Sequence, residues 1–359
     1  MTSQFTPRAA YDLLVFCHLR WDFVYQRPQH LISRLSAQYR TLFVEEPWHR
    51  PEQDGSVVRH ISPSLTVLQP NVLHIGQIAE VLPDYLAGTS VPTAWLYSPS
   101  FLPVLDSLST ETIVYDCMDE LSLFRGAPPS LVRQEQQLLD RAAVVFTGGR
   151  SLYEAKQQRH DRVYCFPSSV DQAHFARALT PELPVPEDIA RLPAPVVGYF
   201  GVIDERIDLE LLASTADLRP NVSFAMIGPL AKIGEHDLPR RDNIHYLGMR
   251  DYQELPNYIK GFDVAMMPFA LNDATTFISP TKTLEYMAAG RPIISTAIRD
   301  VVREYASTVA IIATAPEFAR AVDRALSERA APDYQSILTR TSWDATAERM
   351  RTIIEKIPA

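Results

Sequence analysis

Short apolar segments with the composition of buried strands alternate with helical segments along this chain of 359 residues. In the first half, Asp12–Cys17 has the composition of a buried strand, and His30–Tyr39 has the apolar spacing of an amphipathic helix. The same half contains further strand-like segments at Thr41–Val44, Thr93–Tyr97, Thr112–Tyr115 and Ala143–Thr147. Such alternation is typical of parallel sheets whose two faces are covered by helices, so the pattern predicts an α/β fold.

A Pro-rich stretch from Ala178 to Pro195 separates this half from a second alternation that begins at Val196–Phe200. The second half contains strand-like segments at Val222–Ile227, Ile244–Leu247, Asp263–Met267, Pro292–Ser295 and Val309–Ile312. We therefore expect a first domain over 1–175, a linker over 176–195 and a second domain over 196–342. A last helix, about 343–359, is expected to pack back on the first domain. Two doubly wound, Rossmann-like domains of this kind would face each other across a cleft.

Composition narrows the function classes. The net charge of −9, without a basic block, argues against nucleic acid as a partner. Each of the three cysteines lies in an apolar segment, which predicts free thiols in a reducing compartment, and no Cys or His cluster has metal-ligand spacing. The amino terminus lacks an apolar signal core, and no apolar run could cross a bilayer. We expect a cytoplasmic protein without a metal, and leave open peripheral contact with the inner face of the membrane.

The segment Phe277–Thr296, FISPTKTLEYMAAGRPIIST, predicts a helix followed by a buried strand. Ser279 suits the N-cap and Pro280 the first helical position. Lys282 is unusual in a first turn, where the helix dipole disfavours a cation unless an anion binds there. Glu285 follows three residues later on the same face. The pattern indicates either a phosphate-binding helix start or a Ser-Pro-capped surface helix with a Lys–Glu pair.

Four segments of the second half, in this order and spacing, resemble the GT-B glycosyltransferases, particularly the large retaining group called family 4. They are Gly198–Arg206 (GYFGVIDER), Phe224–Pro229 (FAMIGP), Asn243–Gly248 (NIHYLG) and Ser279–Thr296, the last in an S-P-x-K-x-x-E-Y form. The resemblance implies a hexosyltransferase-type enzyme that moves a sugar from a UDP- or GDP-type nucleotide sugar to an acceptor hydroxyl with retention. It implies a saccharide or glycolipid acceptor, a role in polysaccharide or glycolipid assembly, and no cofactor, because the nucleotide sugar is a substrate.

The same resemblance implies roles for single residues of the second half. Glu285 would bind the donor ribose hydroxyls. Lys282 and Arg206 would neutralise the leaving diphosphate. The other implied donor-binding residues are Gly201, Gly228, Leu247, Met249, Arg250, Ser279, Pro280 and Thr281. Phe277 departs from the pattern, because the family often has a glutamate there that contacts the sugar; Asn272 or Asp273 could supply that contact instead.

Two polar clusters of the first half follow predicted strands and are candidates for the acceptor side. The acceptor-binding candidates after the first strand are His18, Trp21, Asp22, Arg27 and His30. Asp116, Asp119 and Glu120 follow the strand Thr112–Tyr115 and could position an acceptor hydroxyl or act as a base. Core packing of the aromatic side chains, and helix capping or solvation of the charges, explain the same residues without any catalytic role.

Two alternatives to transfer stay open. One is a non-catalytic GT-B protein that binds a nucleotide sugar, which the substitution at Phe277 keeps in consideration. The other is a sugar-nucleotide epimerase on the same fold. A nicotinamide or flavin enzyme is set aside, because neither Asp12–Cys17 nor Val196–Phe200 is followed by a G-x-G-x-x-G turn.

Overall fold

A computed structural model describes residues 9–328 and 331–357 of the chain. They divide into two compact units: 9–122, 126–167 and 344–357 in the first, and 123–125, 168–328 and 331–343 in the second. Residues 1–8, 329, 330, 358 and 359, which fall within the predicted domains, lie outside the described residues. No helix in the described ranges is both long and apolar enough to span a membrane.

The described residues of the first unit form an eight-stranded sheet. Its strands are β1 (Leu13–Cys17), β2 (Thr41–Glu45), β3 (Val57–Ser62), β4 (Leu65–Gln69), β5 (Ser90–Leu96), β6 (Ser109–Cys117), β7 (Val144–Thr147) and β8 (Val163–Cys165). Its helices before the linker region are α1 (Arg27–Leu35), α2 (Ile78–Val81), α3 (Ser130–Arg141) and α4 (Arg150–Lys156). Strands β1, β2 and β7 are buried along their whole length, as their apolar sequences require of a sheet covered on both faces.

The order of the first sheet is β3-β4-β2-β1-β5-β6-β7-β8. All neighbours pair in parallel except β3, which forms an antiparallel hairpin with β4. The order reverses between β1 and β5, and this reversal is the topological switch point of a doubly wound sheet. The hairpin strand β3 was not predicted, because its half-exposed sequence VVRHIS has no continuous apolar run.

The described part of the second unit forms a six-stranded, all-parallel sheet with the order β11-β10-β9-β12-β13-β14. The strands are β9 (Val196–Phe200), β10 (Ser223–Ile227), β11 (Ile244–Gly248), β12 (Val264–Met267), β13 (Ile293–Thr296) and β14 (Ala310–Ile312). The helices are α5 (Gln172–Ala176), α6 (Glu187–Ala190), α7 (Leu209–Leu218), α8 (Leu255–Lys260), α9 (Lys282–Ala288), α10 (Arg299–Tyr305), α11 (Ala315–Glu328) and α12 (Gln335–Leu338). This is the classical Rossmann strand order, with its switch point between β9 and β12.

The Pro-rich stretch and the carboxyl-terminal helix belong to different units. The stretch predicted as a linker lies in the second unit, where Ile189 of α6 is buried in that unit's core. The last helix, α13 (Trp343–Ile354), lies in the first unit from residue 344 onward. There Asp344 accepts a hydrogen bond from Arg34 Nε at 2.6 Å, and Glu355 accepts one from the Tyr39 hydroxyl at 3.0 Å.

Candidate functional site

Three glycines bring the carboxyl ends of β9, β10 and β11 together. The N–H of Gly201 donates to the carbonyl of Ile227 at 2.8 Å, and the N–H of Gly228 donates to the carbonyl of Gly248 at 2.9 Å. Gly201 and Gly228 have φ of +132° and +149°, which side-chain-bearing residues rarely adopt. A Cβ on Gly228 would lie 1.9 Å from the carbonyl oxygen of Gly201. Backbone therefore packs directly on backbone at these strand ends.

Lys282, the first residue of α9, extends its side chain over this glycine turn. A Cβ placed on Gly201 would lie 2.5 Å from Lys282 Nζ, and Nζ lies 5.5 Å from the centre of the Tyr199 ring. The ammonium group is thus held beside bare backbone and above an aromatic face, which also attracts a cation. The predicted donor residues Gly201, Gly228 and Lys282 are brought together by the fold.

Glu285 lies one turn further along α9 and is almost completely buried, with 5% of its surface exposed. No described residue donates a hydrogen bond to its carboxylate. Burial raises the pKa of Glu285 to about 7, and the positive charge of Lys282 acts in the opposite direction. A buried carboxylate without donors can accept hydrogen bonds from a ligand, and a vicinal diol would supply two.

The start of α9 differs from the prediction. The helix begins at Lys282 after an N-cap at Thr281 that makes no side-chain cap bond, so the predicted N-cap role of Ser279 is wrong. Helical hydrogen bonding starts after Ser279: the carbonyls of Pro280 and Thr281 are the first to accept, at 3.1–3.2 Å, from the amides of Thr283, Leu284 and Glu285. The carbonyl of Ser279 instead accepts from the Ser168 hydroxyl at 2.6 Å, which ties the segment before α9 to the chain before α5.

The helix α9 ends just before Gly290, as a glycine followed by Arg291 and Pro292 would indicate. Gly290 has φ of +66°. Its N–H donates to the carbonyl of Met287 at 3.0 Å, and the N–H of Arg291 donates to that of Tyr286 at 3.0 Å. This pair of bonds is the Schellman arrangement, which fixes where the helix stops and β13 begins.

Arg206 is close to the same strand end but is paired within the protein. Its Nε lies 3.0 and 3.1 Å from the two carboxylate oxygens of Asp204, and its Nη2 lies 2.7 Å from one of them. The ring of Phe124 lies 5.6 Å from its guanidinium carbon. Asp204 therefore already neutralises the charge that the sequence pattern assigns to the donor phosphates, and that assignment stays a prediction.

The predicted base-binding residues follow β11. Met249 is exposed and Leu247 half-buried, while Gly248 between them has φ of +73°. The guanidinium of Arg250 donates to Asp188 at 2.7 Å and to the Tyr258 hydroxyl at 2.5 Å. The Arg250 side chain is thus held by α6 and α8, and the backbone of the turn is the part that can contact a base.

The loop before α9 contains Phe277 and the two residues, Asn272 and Asp273, that could supply the contact of the expected glutamate. The side-chain amide of Asn272 donates to the carbonyl of Glu205 at 3.0 Å, so it is occupied in holding the loop. Phe277 itself is half-buried, and Asp273 is exposed.

In the first unit, two predicted site residues form one buried ion pair. Arg27 donates to Asp116 through Nε at 3.1 Å and through Nη2 at 2.8 Å, and its Nη1 donates to the carbonyl of Phe166 at 2.8 Å. Asp116 is fully buried and Arg27 is 4% exposed. Burial raises the pKa of Asp116, and Arg27 opposes that shift. The pair is closed to a substrate, so the predictions of Asp116 as a base and of Arg27 as an acceptor ligand do not fit the structure.

The other acceptor candidates are dispersed rather than gathered. Trp21 is buried edge-on against Phe43, with ring centres 5.1 Å apart, and His30 is buried edge-on against Tyr25. The structure thus places Trp21 and His30 in the core, contrary to their prediction as acceptor ligands. Asp22 is exposed and pairs with Arg59 at 2.5 Å, while His18 is half-buried next to β1.

The remaining two carboxylates of the first unit also separate. Glu120 pairs with the buried Lys156 at 2.5 Å, and Lys156 pairs with Glu135 at 2.6 Å. This buried network gives Glu120 a structural partner, which argues against its role as a base. Asp119 is half-buried, and its role as a base or in positioning an acceptor stays a prediction.

Sequence reasoning missed several residues that shape these sites. Glu45 is fully buried at the end of β2, where it accepts from the Trp21 N–H at 2.7 Å and from Gln69 at 2.8 Å. Asp204 and Ser168 were missed as well. The only signal for Glu45 was a carboxylate at the end of an apolar strand, TLFVE, which is weak by itself.

Among the described residues, no group of three or more His, Cys, Asp or Glu could hold a metal ion.

The second unit, which holds this site, is similar in sequence to known glycosyltransferases. Residues 194–328 match the family described as Glycosyl transferases group 1. The match covers the second unit's sheet, including the glycine turns and α9. A protein of Bacillus subtilis (strain 168), provisionally named the teichuronic acid biosynthesis glycosyltransferase TuaH, is 24% identical over 220 residues. That alignment covers 56% of this chain and 54% of TuaH, so the chain matches about half the length of this relative.

Solved structures resemble the whole chain. Sucrose-phosphate synthase from Thermosynechococcus elongatus has a TM-score of 0.71 at 17% identity, with 96% of this chain and 98% of that chain covered. HepE from Anabaena, in complex with UDP-glucose, has a TM-score of 0.69 at 14% identity, with 96% and 99% covered. The chain has the GT-B fold, with two Rossmann-like units of mainly parallel sheet.

Proposed function

We propose that this protein is a glycosyltransferase that moves a hexose from a nucleoside diphosphate sugar to a hydroxyl of a saccharide or glycolipid. The single observation that carries the proposal is the pair formed by Lys282 and the buried, donorless carboxylate of Glu285 beside the Gly201 turn. A cation next to a carboxylate suits a ligand that presents a diphosphate and a ribose diol side by side. The group 1 match and the UDP-glucose complex of HepE support this reading.

In this proposal the second unit binds the donor. Lys282 would lie against the diphosphate, with the backbone of the turns at Gly201 and Gly228 close to the ligand. Glu285 would accept hydrogen bonds from the two ribose hydroxyls, and the turn around Met249 would contact the base. The donor would be of UDP or GDP type. Arg206 would join the diphosphate only through the part of its guanidinium that Asp204 does not hold.

The reaction follows from these contacts. The bond between the anomeric carbon and the diphosphate oxygen breaks as negative charge builds on the leaving group, which Lys282 stabilises. The acceptor hydroxyl oxygen forms the new bond on the same face, and its proton passes to the departing phosphate oxygen. Such retention requires no protein base, which agrees with the burial of Asp116 and the pairing of Glu120; Asp119 would position the acceptor hydroxyl.

The proposed cellular role is argued from a relative of this chain. The name of TuaH supports assembly of a cell-surface polysaccharide, and we propose the same class of pathway for this chain. We place the protein in the cytoplasm or at the inner face of the membrane, where nucleotide sugars are found, with no metal or other cofactor.

The donor site is tested by two substitutions. Lys282→Ala and Glu285→Ala should each weaken binding of the best nucleotide sugar by about 1–3 kcal/mol, because each removes hydrogen bonds to a charged group. Isothermal titration with UDP-, GDP-, dTDP- and ADP-glucose measures this. Arg320→Ala and Glu182→Ala remove exposed charges elsewhere in the second unit and serve as matched controls. Unchanged affinity in both site variants would show that the donor binds elsewhere.

A second candidate function is binding without transfer, favoured by Phe277 and by the pairing of Arg206 with Asp204. An assay of nucleoside diphosphate release distinguishes a transferase from a protein that only binds the donor. A transferase releases it from a bound donor when an acceptor extract is added, and Lys282→Ala slows the release. A binding protein retains the donor intact across a wide acceptor panel.

A further inference from the structure

The first unit has an exposed tryptophan on which two arginines stack. Trp48 is 43% exposed, and the guanidinium carbons of Arg20 and Arg50 lie 4.0 and 3.9 Å from its ring centre. The other tryptophans, Trp21, Trp95 and Trp343, are at most 9% exposed. This group of Arg20, Trp48 and Arg50 is called the Arg–Trp–Arg cluster below.

The two arginines of the cluster lack the partners that most arginines of this protein have. Arg27, Arg206 and Arg250, for example, each bind a carboxylate at 2.7 or 2.8 Å. Within the described ranges, neither Arg20 nor Arg50 has a carboxylate within ion-pair distance, although Glu46 lies close enough to Arg20 for the two charges to attract each other. Two like charges on one indole repel each other, and stacking on the ring offsets this repulsion only in part.

Hydrogen bonds to neighbouring residues hold the Arg–Trp–Arg cluster in place. The N–H of Trp48 donates to the carbonyl of Pro70 at 2.9 Å, and the N–H of Arg50 donates to Asn71 Oδ1 at 2.7 Å. The side-chain amide of Asn71 returns a bond to the Arg50 carbonyl at 3.1 Å. Arg50 Nη1 also donates to Gln53 at 3.1 Å, which orients its guanidinium.

The position of the cluster is that of a ligand site. Arg20 follows β1, Trp48 and Arg50 follow β2, and the Pro70 and Asn71 that hold them follow β4. These are three neighbouring strands of the first sheet, and their carboxyl ends lie at the edge where ligands bind in doubly wound sheets. The bond from the Trp21 N–H to Glu45 at 2.7 Å further fixes the Arg20 segment to the end of β2.

We infer that the Arg–Trp–Arg cluster binds a negatively charged group, a carboxylate or a phosphate, on the acceptor saccharide. Guanidinium groups bind both anions bidentately, and their stacking on an aromatic ring pre-orients them for this. The inference rests on the proposed transfer and specifies its acceptor as an anionic glycan. Two observations favour a saccharide over an anionic membrane surface. The arginines lie against the indole of Trp48, so the ring is not free to insert into a membrane as an apolar wedge. Asn71 and Gln53 also make the surroundings of the cluster polar.

The exposed position of Trp48 provides the measurement. The full chain, without a donor, is titrated with the disaccharide of glucuronic acid and N-acetylglucosamine while tryptophan fluorescence is followed. The uncharged methyl ester of the same disaccharide is the matched ligand control. Mannose 6-phosphate against mannose tests phosphate as the source of charge, and vesicles of phosphatidylcholine with or without phosphatidylglycerol test the membrane.

We expect at least one anionic saccharide to bind about tenfold more tightly than its uncharged counterpart, with affinity falling as salt rises. Arg20→Gln and Arg50→Gln should each weaken this binding by about tenfold. Arg40→Gln is the matched variant: Arg40 also lies over an aromatic ring, 5.6 Å from Tyr11, but it precedes β2. It should bind as the unmodified protein does, and circular dichroism confirms that all variants are folded.

Equal binding of both anionic saccharides and their uncharged counterparts, no response to either anion, or full affinity in both arginine variants would each overturn the inference. Arginine-dependent binding to anionic vesicles alone would overturn it in favour of a membrane contact. Because these titrations contain no nucleotide sugar, their failure leaves the donor test on Lys282 and Glu285 unaffected, and a failed donor test leaves these titrations readable.

Discussion

Glu285 and Lys282 are the residues on which the functional account depends, and both are recognisable in the sequence. The S-P-x-K-x-x-E-Y pattern places a cation and a carboxylate three residues apart on one helix face. The sequence does not reveal which charged side chains pair with each other in the folded protein. Arg27 and Asp116 are 89 residues apart in sequence and meet only through the fold, so no local pattern predicts their buried pairing. The same holds for Glu120 and Lys156.

The burial of Glu285 predicts how stability depends on pH. Its pKa rises from about 4.5 when unfolded to about 7 when folded, so the folded state binds the proton more tightly. The resulting stabilisation is complete below pH 4.5 and is lost as the pH rises through 7, a change of about 3 kcal/mol. Native-state hydrogen exchange of β9 at pH 5 and pH 8 should show this loss in the unmodified protein. Glu285→Gln should lack it, and the same loss in that variant would refute the assignment.

At the scale of single elements, strands were easier to predict than the turns that follow them. All six strands of the second sheet lie where their apolar runs predict, because a strand covered on both faces needs a continuous apolar sequence. The helix α9 begins two residues later than predicted, and the carbonyl of Ser279 accepts a hydrogen bond from the distant Ser168, a contact that no local pattern reveals. The antiparallel β3 was missed, since an edge strand needs no apolar run.

The glycine turns give a prediction about these strand ends. Gly228→Ala should destabilise the second unit by about 2–4 kcal/mol, because its Cβ would overlap the Gly201 carbonyl and its φ of +149° would be strained. Chemical denaturation followed by circular dichroism measures the loss. Gly76→Ala, where nothing lies within 4 Å of the added Cβ, is the control and should change stability by no more than about 0.5 kcal/mol.

At the scale of the whole molecule, the two units share an architecture but differ in what their strand ends carry. The second sheet ends in glycine turns with a cation and a buried carboxylate, whereas the first ends in closed ion pairs and the Arg–Trp–Arg cluster. The division into two α/β domains could be predicted from sequence, because the alternation restarts at Val196. The sequence could not predict which unit holds the Pro-rich stretch, because that depends on the packing of residues such as Ile189.

This asymmetry predicts where a donor alters hydrogen exchange. With saturating UDP or GDP, protection should rise in the segments that follow β9, β10 and β11 and across α9, because a ligand stabilises the structure that it contacts. The strand ends of the first unit should be unaffected by the nucleotide alone. Protection confined to the first unit would contradict the placement of the donor.

The central claim is that a nucleoside diphosphate sugar binds beside Lys282 and Glu285, and a crystal structure of the full chain with its best-binding donor tests it most directly. We predict the diphosphate within hydrogen-bonding distance of Lys282 Nζ, next to the Gly201 turn, with the ribose hydroxyls on the Glu285 carboxylate. A donor bound in any other place, with Glu285 still buried and without a ligand contact, would contradict the account.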